Sequence, residues 1–459
     1  MKRHTSKFVI LGLMVLAMVL SACGTAVTET ATTEAATAKP AETAAVPATL
    51  EPTVKPISGS ITILTNRTDL VNDGTMDKYA KAFNEVYPDV VVTFEGITDY
   101  EGEVQTRMQT TEYGDVLLIP ANTPLKDLPN FFVSLGAVAD LKDKYNFVES
   151  EMQLDGQVYG IAVTGNAQGV LYNKAVWSAA GITKLPTTSE EFLADLALIK
   201  TKGDATPLYT NYKAGWPLTQ WESQIPSITC DPDYNGTKML DIREPFASGT
   251  PHNQLYKLMY DAVKGGYTEA DPTTTDWETS KTLIGTGKVG AMVLGSWSIV
   301  QMQAAATAAG ADPANIGYMP FPSNVNGQQC AAAGGDYHLA INKNTKNMDA
   351  AQAWLSWFLD KSNFAFDQGG IPPLKGATLP ATLADLSSAK LIANNPSPAG
   401  KESFVSTVDN KSGIGLWTDA WKQRIVDAAR GATAETFDAI MADLNAKWSK
   451  AFDEVTSGG

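Results

Sequence analysis

The sequence predicts an α/β protein, and three observations carry that prediction. Strand-length apolar stretches run without polar alternation, as in Asp115-Val-Leu-Leu-Ile119 and Lys288-Val-Gly-Ala-Met-Val-Leu294. Helical patterns separate such stretches, as where Met76, Tyr79, Ala80 and Phe83 recur at spacings of 3, 1 and 3. Prolines and polar turns stand at the junctions. Continuous apolar strands are those covered on both faces, and strands alternating with helices build βαβ units around a mostly parallel sheet.

In chain order, Ser60–Leu64 is the first strand and runs into the polar stretch Thr65-Asn-Arg-Thr-Asp69. The helix through Met76–Phe83 is stopped by Pro88. Val90–Phe94 forms the next strand, Tyr100–Thr110 a helix, and Asp115–Ile119 a third strand. Thr188-Ser-Glu-Glu191 reads as a capping box, with Phe192, Leu193, Leu196 and Ile199 on one apolar helix face behind it. Lys288–Leu294 is a further buried strand. The helix Met348–Leu359 turns Ala353, Trp354, Trp357 and Phe358 toward a core.

The start of the chain has a different character. Lys2, Arg3 and Lys7 precede an apolar run from Phe8 to Leu20, and small residues then lead into Leu20-Ser21-Ala22-Cys23. That order is a secretory signal peptide, residues 1–22. The apolar run is too short for a permanent span, which needs about 20 residues. The Leu-Ser-Ala-Cys ending resembles the lipobox of bacterial lipoproteins, which implies that Cys23 carries lipid and becomes the first residue. From there to residue 57 the chain is largely Thr, Ala, Glu, Pro and Val with no aromatic side chain. It cannot bury a core, so residues 23–57 read as a disordered tether.

Of 35 Lys and Arg against 50 Asp and Glu, three basic residues fall within residues 1–22, which leaves a formal charge of −18. A chain so acidic lacks the basic clusters that neutralise nucleic-acid phosphates, so no nucleic-acid partner is expected. Anionic headgroups repel it too, and its only membrane contact would be the lipid. The remaining cysteines, Cys230 and Cys330, stand in an oxidising compartment, where they either pair or stay free.

Four segments together resemble the family 1 extracellular solute-binding proteins, the group of maltose-binding protein. The first comprises Tyr159-Gly-Ile-Ala162, Leu171-Tyr-Asn-Lys174, Ala180-Gly-Ile182 and Leu185–Phe192, with Ala162 where the family has proline. The second is Gly287–Trp297. The third joins Gly334-Gly-Asp-Tyr-His-Leu-Ala-Ile341 to Lys346–Ala351 and the helix that follows. The fourth is Gly369-Gly-Ile-Pro372.

The resemblance implies a two-lobed, type II periplasmic-binding-protein fold, each lobe a mostly parallel sheet flanked by helices, with a cleft between. It divides the body into an N-terminal lobe (residues 58–165 plus about 337–385) and a C-terminal lobe (about 166–333 plus about 386–459). The chain would cross between lobes near Val163–Ala167, near Gly334–Asp336 and within Leu379–Ile392. It also implies an ABC-importer binding protein that closes on a carbohydrate and hands it to permease subunits. Such a protein would be a monomer, extracytoplasmic and lipid-anchored at the outer face of the membrane, with no covalent chemistry and no cofactor.

A sugar offers C–H faces ringed by hydroxyls, so its site needs flat aromatics and dense hydrogen-bonding groups. Ten tryptophans are available. Trp297 directly follows a buried strand, at the carboxyl edge where α/β sheets bind ligands, and its position matches a stacking tryptophan of the family. Trp417 matches the family's late stacking aromatic. Trp216 and Trp221 lie in a Gly/Pro-containing stretch after a predicted strand, whereas Trp177, Trp354, Trp357 and Trp448 fit helix cores. Among polar candidates, Asn66, Arg67 and Asp69 follow the first strand and Asn122 follows Asp115–Pro120. Asn166, Gln168 and Asp336 sit at the crossings. The plainer role for each is a turn residue bonding its own backbone.

Two other chemistries fit the sequence less well. Asp231-Pro-Asp-Tyr-Asn-Gly236 opens like a calcium loop, but its twelfth position is Ile242 where a bidentate Glu is required, so no metal is expected. Fifty acids leave room for a glycosidase carboxylate pair, yet no nucleophile elbow, P-loop or Cys/His ligand spacing is present. Within the binding class, an organic cation such as a polyamine is the alternative solute, held through aromatic faces.

Overall fold

A computed structural model describes residues 56–98, 100–120 and 123–457. The expected signal peptide, Cys23, all of the expected tether except Pro56 and Ile57, and Asn122 lie outside the described residues. Among the described residues one sheet has nine strands. These are β1 (Gly59–Thr65), β2 (Val90–Gly96), β3 (Val116–Leu118), β4 (Ile161–Asn173), β5 (Thr206–Leu208), β6 (Val289–Gly295), β7 (Ile316–Pro320), β8 (Cys330–Ile341) and β9 (Lys390–Ile392). The path runs β2-β1-β3-β8-β4-β6-β5, with β7 paired to β4 and β9 to β8.

Two long strands hold this sheet together. β4 pairs with β8 through Ile161–Ala167, then changes partners and pairs with β6 and β7 from Gln168 onward. β8 begins beside β9, passes along β4 at Ala333–Leu339 and ends beside β3. All of these pairings except that with β9 are antiparallel, whereas β1–β2, β1–β3 and β5–β6 are parallel. The sheet is therefore mixed rather than mostly parallel. A strand that continues straight from one core into the next needs no crossover helix, so it escapes the geometry that makes βαβ units parallel.

Three hydrophobic clusters use these strands. The first packs Ile61, Ile63 and Leu64 of β1 with Leu117 of β3 and with Trp354 and Phe358 of the helix Met348–Lys361. The second surrounds Phe192, Leu196, Tyr256, Trp421 and Trp448. The third lies about β6, with Met292, Leu294, Tyr318 and Ala333. The segment Phe364–Leu379 straddles two of them. Phe364 and Leu374 pack with the first cluster, while Ile371 and Leu379 pack with the third. Gly165 and Ile371 exchange backbone hydrogen bonds of 2.8 Å, which ties this segment to the middle of β4. Together Pro56–Gly459 forms one unit.

Local signals account for the element boundaries. Thr188 caps the helix Ser189–Lys202, its hydroxyl accepting from the Glu191 amide at 3.2 Å. Glu191 reaches back one residue further than a capping box requires, to the Thr187 amide at 2.6 Å. Cys230 and Cys330 form a disulfide with Cα atoms 5.4 Å apart, which joins the end of the helix Ile225–Thr229 to the first residue of β8.

Candidate functional site

The site is built where β6 ends. Its strand is buried throughout and stops at Gly295, and Ser296 and Trp297 follow before the helix Ser298–Ala308. A side chain at position 295 would collide with the Trp297 ring and meet Gln168 Nε2 at 3.2 Å. Glycine there lets the indole fold back over the strand end beside β4. Trp216 comes from the segment after β5, which lies parallel to β6, and Trp277 opens the helix Trp277–Gly285.

The three indoles make one cluster. Ring centroids are 4.7 Å apart for Trp216–Trp277, 5.8 Å for Trp216–Trp297 and 6.2 Å for Trp277–Trp297, at interplanar angles of 42–74°. Trp216 is 37% exposed, and the other two are partly buried. An open aromatic cluster at a sheet's carboxyl edge can cover an apolar ligand face. Lys281 Nζ lies 5.2 Å over the Trp277 ring, so one face of the cluster already has a cation.

Hydrogen-bonding groups line the neighbouring strands. Asn166 on β4 donates to Asp336 Oδ2 on β8 at 3.1 Å, and Ser296 Oγ reaches Asn166 Oδ1 at 3.4 Å. Asp336 Oδ1 accepts from the Tyr337 amide at 2.8 Å. Burial pushes the Asp336 carboxyl up from its ordinary range, against the Tyr337 amide, His338 and Asn166, which pull it down. Arg67 grips Asp69 through two bonds of 2.9 and 2.7 Å and donates to Gln368 Oε1 at 3.0 Å. Side-chain oxygens of Asn66, Thr164 and Gln168 are buried without a partner in the structure. Each such group costs about 1–3 kcal/mol, which a ligand hydroxyl aimed at it would offset.

The structure thus places Trp297 just past the end of β6 with Trp216 against it, pairs Gln168 of β4 with Gly295 at that strand end, and sets Asn166 against Asp336 across the middle of β4 and β8. Asn66 follows the end of β1, next to Arg67, whose charge acts on Asp336 and Tyr337. Trp221 differs from the sequence expectation. It is 2% exposed, sits in the second core cluster and packs edge-on against Phe321 at 6.1 Å. The turn Glu222–Gln224 carries the chain inward there. Trp417 is 60% exposed, on the loop before the helix Ala420–Ala429. Trp277 was not singled out by the sequence; it opens a helix whose buried residues are Ser280, Ile284 and Gly285.

The Asp231 loop is a turn. Asp231 accepts from the Asp233 amide at 2.9 Å and pairs with Lys238. Among the described residues no group of three or more His, Cys, Asp or Glu is placed to share a metal ion.

Core clusters joined by shared strands, with exposed aromatics and unpartnered polar groups on and beside those strands, are features of a two-lobed solute-binding protein. The chain belongs to the bacterial extracellular solute-binding protein family, whose model matches residues 68–363. Its body accordingly works outside the cytoplasm. The multiple sugar-binding protein of Streptococcus mutans is 25% identical over 293 residues, 62% of this chain and 68% of that one. Two solved structures from Bifidobacterium animalis subsp. lactis are more similar. BlMnBP1, an ABC-transporter binding protein in complex with mannobiose, is 37% identical with a TM-score of 0.72, covering 87% of this chain and 95% of its own. BlMnBP2, a manno-oligosaccharide-specific solute-binding protein in complex with mannotriose, is 35% identical with a TM-score of 0.72, covering 88% and 96%.

Proposed function

We propose that the Trp216–Trp277–Trp297 cluster and the polar groups beside it hold a carbohydrate, a manno-oligosaccharide in particular. The chain would serve as the binding subunit of an ABC importer. The observation that carries this reading is the juxtaposition itself. Flat rings match the C–H faces of a sugar, and Asn166, Gln168 and Asp336 match its hydroxyls. The likeness to BlMnBP1 and BlMnBP2 supports the choice of sugar. The same likeness weighs against a polyamine, since both of those relatives are in complex with manno-oligosaccharides.

In this reading β4 and β8 are the hinge strands. The N-terminal lobe gathers around the first core cluster and the C-terminal lobe around the second and third. Closure is favoured only by contacts that the solute makes with both lobes at once. The chain acts as a monomer without cofactor or catalysis, docks on permease subunits, and is tethered through lipid on Cys23 after loss of residues 1–22.

A thermal-shift screen of the body from Pro56 onward tests the reading, with mannobiose, mannotriose, raffinose and spermidine as ligands. A sugar present at 100 times its Kd adds about 2.7 kcal/mol to stability and raises the melting temperature. Stabilisation by spermidine and by none of the sugars would refute the assignment.

Asp336 gives a sharper expectation. As an ionised acceptor for a sugar hydroxyl it contributes about 1.5–3 kcal/mol, so Asp336→Asn weakens binding roughly 10- to 150-fold by isothermal titration. Its pKa is raised in the folded protein, so affinity falls as pH drops through a value above the ordinary aspartate range, and the Asn variant lacks that fall. Linkage gives stability the opposite sign. The folded state holds this proton more tightly than the unfolded state, so the ionised carboxylate is a stability cost at neutral pH. That cost is relieved as pH falls through the folded pKa.

A further inference from the structure

Lys422 is fully buried, on the first turn of the helix Ala420–Ala429. Burying an ammonium is expensive unless its protons are used. Its Nζ donates to the Leu416 carbonyl at 2.6 Å and to the Thr418 carbonyl at 2.8 Å, and it lies 4.2 Å over the Trp421 ring. The two carbonyls bracket Trp417. The carboxylates of Glu222, Asp409 and Asp419 act on Lys422 through charge, but its hydrogen bonds go to the loop.

Other groups hold the same loop. Both Asp409 carboxylate oxygens accept from the Leu416 amide, at 3.0 and 2.9 Å. Trp421 Nε1 donates to the Gly415 carbonyl at 3.0 Å. Ile414 and Leu416 are buried on either side of Gly415, yet the next residue, Trp417, is 60% exposed. An over-determined backbone thus presents one large indole to solvent.

The loop lies against the segment that leads into Trp216. A side chain at position 215 would run into the Asp419 carboxylate, so Gly215 lets the loop meet the segment that carries Trp216. Gln423 Nε2 donates to the Tyr212 carbonyl at 3.0 Å, and Tyr212 donates to Asp427 Oδ2 at 2.9 Å. These bonds clamp the helix to the stretch leading into Trp216.

We infer that Lys422 is a positioning residue for solute binding: its buried ammonium holds the Gly413–Asp419 loop so that Trp417 stands as a fixed wall beside Trp216. The inference rests on the carbohydrate reading above. A wall fixed before the solute arrives loses little conformational freedom on binding, and that saving appears as affinity. Burial brings the Lys422 ammonium down to about 8, which fits a group that solvent does not reach.

The test is a double-mutant cycle read by titration with mannotriose. Lys422→Met weakens binding about tenfold, Trp417→Ala weakens it at least as much, and the double variant binds no worse than Trp417→Ala alone. A general structural role for Lys422 would instead add its loss to that of Trp417→Ala, and full additivity overturns the inference. Asp409→Asn is a nearly isosteric change that frees the same loop from its other side, and it gives the same non-additive loss should Lys422→Met fold poorly. Trp417→Ala alters an exposed side chain, so wild-type affinity in that variant overturns the inference regardless of the others. Failure of the wild-type protein to bind any sugar would defeat the carbohydrate reading. Normal wild-type binding with no loss in Lys422→Met or Asp409→Asn defeats only the positioning role.

Discussion

Trp297→Ala is expected to weaken sugar binding by about 2–3 kcal/mol, roughly 30- to 150-fold, while the chain stays folded. The indole stands partly open beside the Trp216–Trp277 pair, with Gln168 near the strand end it follows. Its loss removes a flat face from the ligand and lets water reach the polar groups next to it. Part of its surface packs on the third core cluster, so a drop of a few degrees in melting temperature accompanies the affinity loss. Isothermal titration with mannotriose and a ligand-free thermal melt separate the two effects. Unchanged affinity would show that this cluster is not the sugar site.

The second large effect concerns stability. Joint replacement of Cys230 and Cys330 by serine is expected to lower unfolding free energy by about 2–4 kcal/mol. The bridge spans a sequence separation of 100, so its removal restores much freedom to the unfolded chain. Native geometry adds a local reason. Cys330 starts β8, and two residues later the Ala332 amide donates to Ser227 Oγ at 2.9 Å, on the helix that ends at the partner cysteine. Urea unfolding of the double variant against the wild type measures the difference. An unchanged midpoint would mean that these contacts hold the strand start without the bond.

Several parts of this protein were legible because their cause is local. The strands Gly59–Thr65 and Val90–Gly96 and the helix Thr75–Asn84 follow from apolar periodicity and a proline stop. The Thr188 cap follows from side-chain chemistry three residues deep. Trp297 was legible for a related reason, since a residue that ends a buried strand must emerge at the sheet's edge. Trp216 and Trp221 show where this stops. They share one short stretch, but the turn after Trp221 sends its ring to Phe321 while Trp216 stays with Trp277. Local composition is the same for both. Their surroundings are set by strands and helices far away in the chain.

By itself, the sequence determined the element types, the α/β class and the acidic body, because periodicity, capping and charge are short-range properties, and its four resembling segments pointed to the family. Tertiary structure alone decided that β4 and β8 each run through more than one core, that Cys230 meets Cys330, and that Trp277 joins Trp216 and Trp297. It also decided that Lys422 spends its protons on the backbone around Trp417. The reason is that the first two depend on distances between segments about a hundred residues apart or more, and the others on which way a side chain turns once its neighbours are packed. Hydrophobic burial is non-directional, so a sequence states how much must be buried, and only close packing settles against what.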